Sequence, residues 1–173
     1  MSRSTLVLGG TRSGKSRFAE SLFREFPEVH YLATLDPAGD RDLERRIDIH
    51  RARRSAAFSI LELEDPIDLP RLISFYSNPL LVDSIGTWVS RLDLADPSGL
   101  AALREQLGGA VLSNASELVI VSEEVGLSVH PPSEVGRRFI DEVGLFNQEL
   151  ARVVDRVFMV TAGIAVPIHQ FRE

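Results

Sequence analysis

The chain has 173 residues, a formal net charge of −6 and 44% hydrophobic residues, a balance that excludes global disorder and suits one domain burying roughly 70% of its unfolded surface. It has no cysteine, which excludes disulfides, thiolate metal sites, iron–sulfur clusters and cysteine nucleophiles. The acidic balance gives no drive toward nucleic acid or an anionic membrane. The lack of a signal-peptide core or an apolar run of about 20 residues points to the cytoplasm.

In chain order, residues 5–8 form the first of six short apolar runs that read as strands, the others being 29–34, 58–63, 80–83, 118–122 and 157–160. Their near-continuous apolar character predicts strands covered on both faces, as in a parallel sheet. Helical patterns fall between them over 15–26, 41–54, 70–76, 100–112 and 134–154. The last aligns Val135, Phe139, Val143, Phe146, Leu150 and Val154 in one apolar stripe. Residues 93–99, containing Asp-Pro-Ser-Gly, read as an exposed loop. A final strand over 164–168 follows the strand at 157–160 too closely for a parallel crossover, so it should run antiparallel to it. The expectation is a single α/β domain over 1–173, a mostly parallel doubly wound sheet with a short antiparallel C-terminal strand.

The first strand runs directly into Gly9-Gly10-Thr11-Arg12-Ser13-Gly14-Lys15-Ser16, which matches G-x-x-x-x-G-K-[ST]. Glycines let the backbone turn its N–H groups toward phosphate, and the following helix adds its positive end. Lys15 is expected to reach the β- and γ-phosphates of a bound nucleotide and Ser16 to ligate Mg²⁺. Of the 19 basic residues, 18 are arginine, and the one lysine is Lys15. The plain alternative, a glycine-rich turn opening an ordinary helix, does not explain that placement. Asp83 closes the apolar strand Pro79-Leu80-Leu81-Val82-Asp83 and is the favoured second Mg²⁺ carboxylate. Glu123 and Glu124 are its rivals, and a turn or helix cap is the structural alternative for Asp83. All three acids should stand at the carboxyl edge of the sheet, where such folds bind ligands.

The charged helix over 41–54 places Leu43, Ile47, His50 and Arg54 on one face. His50 is thereby directed inward beside an arginine. A structural histidine and a catalytic one are both compatible with that spacing. No H-E-x-x-H or comparable metal-ligand spacing is present.

Taken together, these segments resemble the adenosylcobinamide kinase/adenosylcobinamide-phosphate guanylyltransferase family. Gly9–Arg17 resembles its GG[AT]RSGKSR loop, Tyr31-Leu32-Ala33-Thr34 its Y-[IVL]-A-T strand, and Arg46-Ile47-Asp48-Ile49-His50-Arg51 its R-I-x-x-H-[RK] motif. Val82-Asp83, Glu124-Val125-Gly126 and Arg138-Phe139 through Asp141, Gly144 and Asn147 follow in the family's order. The resemblance implies a RecA-like P-loop NTPase domain assembled as a homotrimer. It implies an enzyme that phosphorylates adenosylcobinamide with ATP or GTP, then transfers GMP from GTP to adenosylcobinamide phosphate through a guanylylated histidine, here His50. It further implies that Lys15, Ser16 and Asp83 serve the phosphates and Mg²⁺, that Glu62 lies near the guanine, and that Arg51 contacts phosphate. Departures from the pattern occur at Glu123, where N-E-V-G is frequent, and in Asp83-Ser84-Ile85-Gly86, where many members carry D-C-[LI]-T. Ser128 and Leu145 are two more. The competing expectations are a P-loop kinase for another small metabolite with a structural His50, and a nucleotide-dependent switch or assembly factor.

Overall fold

The computed structural model describes residues 4–35, 57–127, 129 and 131–170, and the expected helix over 41–54 lies outside them. The described elements are, in order, β1 (Ser4–Gly9), α1 (Lys15–Ser21), β2 (Val29–Ala33), β3 (Phe58–Glu62), α2 (Leu69–Phe75), β4 (Leu80–Asp83), α3 (Ile85–Val89), α4 (Pro97–Ser113), β5 (Leu118–Glu123), α5 (Glu134–Val153), β6 (Arg156–Thr161) and β7 (Ile164–Gln170). The strands form one sheet in the order β3-β2-β4-β5-β1-β6-β7. Every neighbouring pair is parallel except β6 and β7, which form the expected antiparallel hairpin.

The β-branched runs 5–8 and 118–122 pair with each other at the centre, Ser4 opposite Leu118 through Gly9 opposite Glu123. Period-two alternation sends their side chains to two separate cores. On one face Leu6, Leu8, Leu118 and Ile120 pack with Trp88, Leu107, Phe146 and Leu150 from α3, α4 and α5. On the other, Val7, Val119 and Val121 pack with Ala19 of α1 and Phe23 just beyond it. Trp88 is fully buried, its ring edge-on to Phe146 at 4.9 Å between centroids, and its Nε1–H donates to the Pro66 carbonyl at 2.6 Å.

Four expectations are corrected. β3 is not covered on both faces, because it is an edge strand hydrogen-bonded only to β2, and Ser59, Ile60 and Glu62 are exposed. Helix α1 stops at Ser21 rather than continuing to residue 26. Beyond it the chain tightens into i→i+3 bonds, Phe23 to Glu20 and Phe26 to Phe23, which lets Phe23 meet Phe26 and Phe58 edge to face. Helix α4 starts inside the expected 93–99 loop, since Asp96 caps it by accepting from the Gly99 N–H at 3.0 Å and Pro97 suits the first helical turn. In α5 the expected stripe is buried at Val143, Phe146 and Leu150, whereas Val135 in the first turn stands clear of the sheet and is exposed. α3 was not foreseen. It is five residues long, too short to show a period, and rests on a Ser84–Thr87 capping box.

Truncating the largest buried side chain leaves a cavity between α3 and α5 and removes the Nε1–H bond to the Pro66 carbonyl. Trp88→Ala should therefore lower unfolding free energy by about 3–5 kcal/mol, read from denaturant melts followed by far-ultraviolet circular dichroism.

Candidate active site

The turn after β1 is shaped by close approaches that two glycines permit. A Cβ on Gly9 would lie 2.5 Å from Ser13 Oγ and 2.6 Å from the Val160 carbonyl, so only glycine fits without displacing the neighbouring backbone. Gly14 has φ 96°, a left-handed conformation at the helix N-cap. Between them the loop closes on itself. The Ser13 N–H donates to the Gly10 carbonyl at 3.2 Å, and Ser13 Oγ accepts from the Lys15 N–H at 3.3 Å. The β6–β7 turn supports the loop from outside, the Gly163 N–H donating to the Ser13 carbonyl at 2.8 Å. An open cleft of about 510 Å³ lies alongside, walled by loop residues 10–13, by Glu124, Val125 and Leu127, and by residues 159–162.

Sheet register sets the acidic side chains along the same carboxyl edge. Glu62 pairs in register with Ala33, and Ala33 with Asp83. β5 runs two residues past the level of Asp83, so that Glu123 stands opposite Gly9 at the start of the loop. The Asp83 carboxylate accepts from the Tyr31 hydroxyl at 2.6 Å. The Glu123 carboxylate accepts from Ser84 Oγ at 2.9 Å and from the Gly86 N–H at 2.8 Å, and Lys15 Nζ lies 3.4 Å from its Oε1. Glu124 is turned away from Lys15 into its own loop. Its backbone N–H donates to the Gly9 carbonyl at 3.1 Å and its carboxylate accepts from the Gly126 N–H at 2.9 Å.

A second layer of polar contacts fixes this edge. Thr34 Oγ1 accepts from the Ser84 N–H at 2.8 Å and lies 2.7 Å from Thr87 Oγ1. Arg91, one turn beyond, donates to the carbonyls of Thr34, Leu63 and Glu64 at 2.7–3.0 Å, joining the chain that leaves β2 to the chain that leaves β3. From α5, Asn147 Nδ2 donates to the Glu123 carbonyl at 3.0 Å while its Oδ1 accepts from Ser122 Oγ at 2.6 Å.

The structure thus brings together Gly9, Gly10, Thr11, Arg12, Ser13, Gly14, Lys15 and Ser16 with Glu123 and, one strand away, Asp83. Glu62 stands three strands from β5, on the edge strand. His50 and Arg51 lie outside the described residues. Sequence reasoning missed Tyr31, Ser84, Thr87 and Arg91. The S-x-x-T spacing was a legible signal for the Ser84–Thr87 cap, whereas Tyr31 and Arg91 act across 52 and 27 or more residues of chain and carry no local signature. Among the described residues no cluster of three or more His, Asp or Glu could hold a metal. A hydroxyl and one carboxylate completed by phosphate oxygens and water is nonetheless the donor set Mg²⁺ ordinarily takes beside nucleotides, and Ser16 with Asp83 fits it.

A strand, a glycine-cornered loop and a helix opening on Lys15-Ser16, with β5 between the loop strand and the strand bearing Asp83, define a P-loop NTPase of RecA-like architecture. Solved structures agree on the fold. An ATPase from the type III secretion system of pathogenic bacteria superposes with TM-score 0.55 at 12% identity, covering 93% of this chain and 52% of that one. The RadB recombinase gives 0.50 at 18% identity, with coverage of 91% and 73%.

Residues 5–168 match the family described as cobinamide kinase/cobinamide phosphate guanyltransferase. The chain is 40% identical over 168 residues to the bifunctional adenosylcobalamin biosynthesis protein CobP of Pseudomonas aeruginosa, covering 94% of this chain and 95% of that protein. It is 34% identical over 180 residues to the corresponding CobU of Salmonella typhimurium, covering 94% and 98%. The chain belongs to the cobinamide kinase/cobinamide phosphate guanyltransferase family of enzymes.

Lys15 opens α1 and belongs to neither hydrophobic cluster, so removing it leaves the two cores intact. Lys15→Ala should abolish saturable nucleotide binding in equilibrium dialysis while shifting unfolding free energy by no more than about 1 kcal/mol.

Proposed function

We propose that this enzyme carries out two successive transfers on a corrinoid. The first passes the γ-phosphoryl group of ATP or GTP to the aminopropanol hydroxyl of adenosylcobinamide. The second attaches GMP from GTP to the resulting phosphate. The observation that carries the reading is the folded cradle from Gly9 to Ser16, its lysine aimed along the carboxyl edge of the sheet, in a chain matching the family over nearly its whole length.

In the first step the hydroxyl oxygen bonds to the γ-phosphorus and gives up its proton to solvent, while the bond to the β-phosphate bridging oxygen breaks and releases the nucleoside diphosphate. Backbone N–H groups of the loop and Lys15 neutralise charge that builds on the transferring group. Mg²⁺ held by Ser16 and Asp83 would supply further neutralisation of the phosphate oxygens. The Tyr31 hydroxyl, bonded to Asp83, orients that carboxylate. In the second step an imidazole nitrogen of His50 attacks the α-phosphorus of GTP and pyrophosphate leaves. An oxygen of the corrinoid phosphate then attacks the same phosphorus, forming a pyrophosphate linkage and freeing the imidazole. Imidazole suits this role because it is substantially neutral near pH 7 and forms a labile bond to phosphorus. Arg51 is assigned to phosphate and Glu62 to the guanine on family resemblance. The same resemblance supports a homotrimer.

The test separates the half-reactions. With GTP, the peptide containing His50 should gain one GMP that is labile in acid and durable in base. His50→Ala should lose that adduct and the GDP–corrinoid product while keeping appreciable kinase activity. A structural histidine predicts a different pattern, a loss of stability of about 1–3 kcal/mol with both rates falling together. Full guanylyl transfer by a stable His50→Ala protein would overturn the assignment.

In the same assay Asp83→Asn should depress Mg²⁺-dependent turnover far more than metal-free nucleotide binding. Normal turnover in Asp83→Asn, with loss in Glu124→Gln, would move the metal role to Glu124.

A further inference from the structure

Glu123 and Gly86 are both departures from the family's sequence pattern, and the fold sets them in contact. Gly86 needs no unusual backbone. It lies within α3, where glycine is about 1 kcal/mol less favourable than alanine. Its absent side chain is explained by Glu123. A Cβ at position 86 would fall 2.2 Å from Glu123 Oε2, 2.9 Å from Cδ and 3.2 Å from Cγ. Only with that space empty can the carboxylate sit on the Gly86 N–H at 2.8 Å while also accepting from Ser84 Oγ. Held at these two points, Glu123 turns its Oε1 to the ammonium of Lys15. Lys15 and Glu123 are 12% and 22% exposed, so the pair is largely shielded from water and its attraction only partly screened.

We propose that Glu123 is a positioning and selectivity residue, the counter-charge that holds Lys15 in the nucleotide-free site and must be displaced by phosphate, and that Gly86 is glycine in order to seat it. This rests on the reading of the Gly9–Ser16 loop as a nucleotide site. The carboxylate does two things there. It keeps the long lysine side chain in one orientation beside the loop instead of letting it sample solvent. It also opposes entry of a polyphosphate that carries no metal, because bare phosphate oxygens compete with a carboxylate for one ammonium and are repelled by it.

The single lysine makes the test clean, since an amine reagent can modify only Lys15 and the α-amino group. The peptide containing Lys15 is quantified by mass spectrometry in wild type, Glu123→Gln, Gly86→Ala and the double variant, without nucleotide. Binding of ADP and of GDP is measured in EDTA by calorimetry on the same proteins. Glu123→Gln should label Lys15 several-fold faster and bind both metal-free nucleotides about tenfold more tightly, in keeping with removal of a close like charge. Gly86→Ala, which pushes the carboxylate off its seat, should change both readouts in the same direction, and adding it to Glu123→Gln should change neither further. A purely structural role for Glu123 predicts lowered thermal stability with unchanged nucleotide affinity.

A folded Glu123→Gln protein with wild-type labelling and wild-type affinity for ADP and GDP overturns the proposal. A Gly86→Ala protein that behaves as wild type overturns the part assigned to glycine. If Gly86→Ala does not fold, the Glu123→Gln comparison alone decides the counter-charge. Wild type that binds neither nucleotide even when Mg²⁺ is added overturns the underlying site reading, and this proposal with it.

Discussion

The parallel pairing of β1 with β5 is the constraint on which the site depends. Six residues of each strand run in register, and because both are central, buried on two faces and apolar, neither can slip without moving core side chains to the wrong layer. The pairing ends with Gly9 opposite Glu123. One residue opens the phosphate loop and the other closes the neighbouring strand. Loop and carboxylate are thus brought side by side by hydrophobic packing of residues well below them, and Asn147 reinforces the junction from α5 by bonding both the Ser122 side chain and the Glu123 backbone.

Beyond that junction, rigidity comes from hydrogen bonds made by short segments. Five-residue α3 would be marginal alone. It is held because Ser84 and Thr87 cap each other, because Thr34 reaches across from the end of β2, and because Arg91 gathers three carbonyls from two other loops. These groups would otherwise need water. Their mutual satisfaction lets irregular backbone stand close to a charged site without leaving unpaired donors or acceptors.

Strand order was not readable in the sequence, but the strands themselves were, because each buried run is bounded by turn residues and a central parallel strand needs apolar side chains on both faces. Edge position was less visible. Residues 58–62 have strand-forming composition, and nothing local distinguishes one neighbour from two. The phosphate loop was legible because its requirements are local, a close approach at Gly9 and a positive φ at Gly14 within eight residues of chain. The polar scaffold around it was not, since Tyr31–Asp83, Thr34–Ser84 and Arg91–Leu63 are contacts between distant segments made by ordinary residue types. Glu123 falls between these cases. An acid at a strand end is conspicuous, yet its attachment to Lys15 depends on a space at Gly86 that only three dimensions reveal.

The position of Trp88 gives the enzyme an intrinsic optical gauge. It is the sole tryptophan, its indole is sealed from water between α3 and Phe146, and it sits two residues along the same short helix from the amide that holds Glu123. Emission from this chain therefore arises from one indole in one apolar setting, blue-shifted while that setting is intact. A rearrangement of α3 when phosphate takes Lys15 from Glu123 would be transmitted to the ring through less than one helical turn. Under the displacement of Glu123 proposed above, occupancy of the cradle should be readable in the native protein, in real time and without a dye.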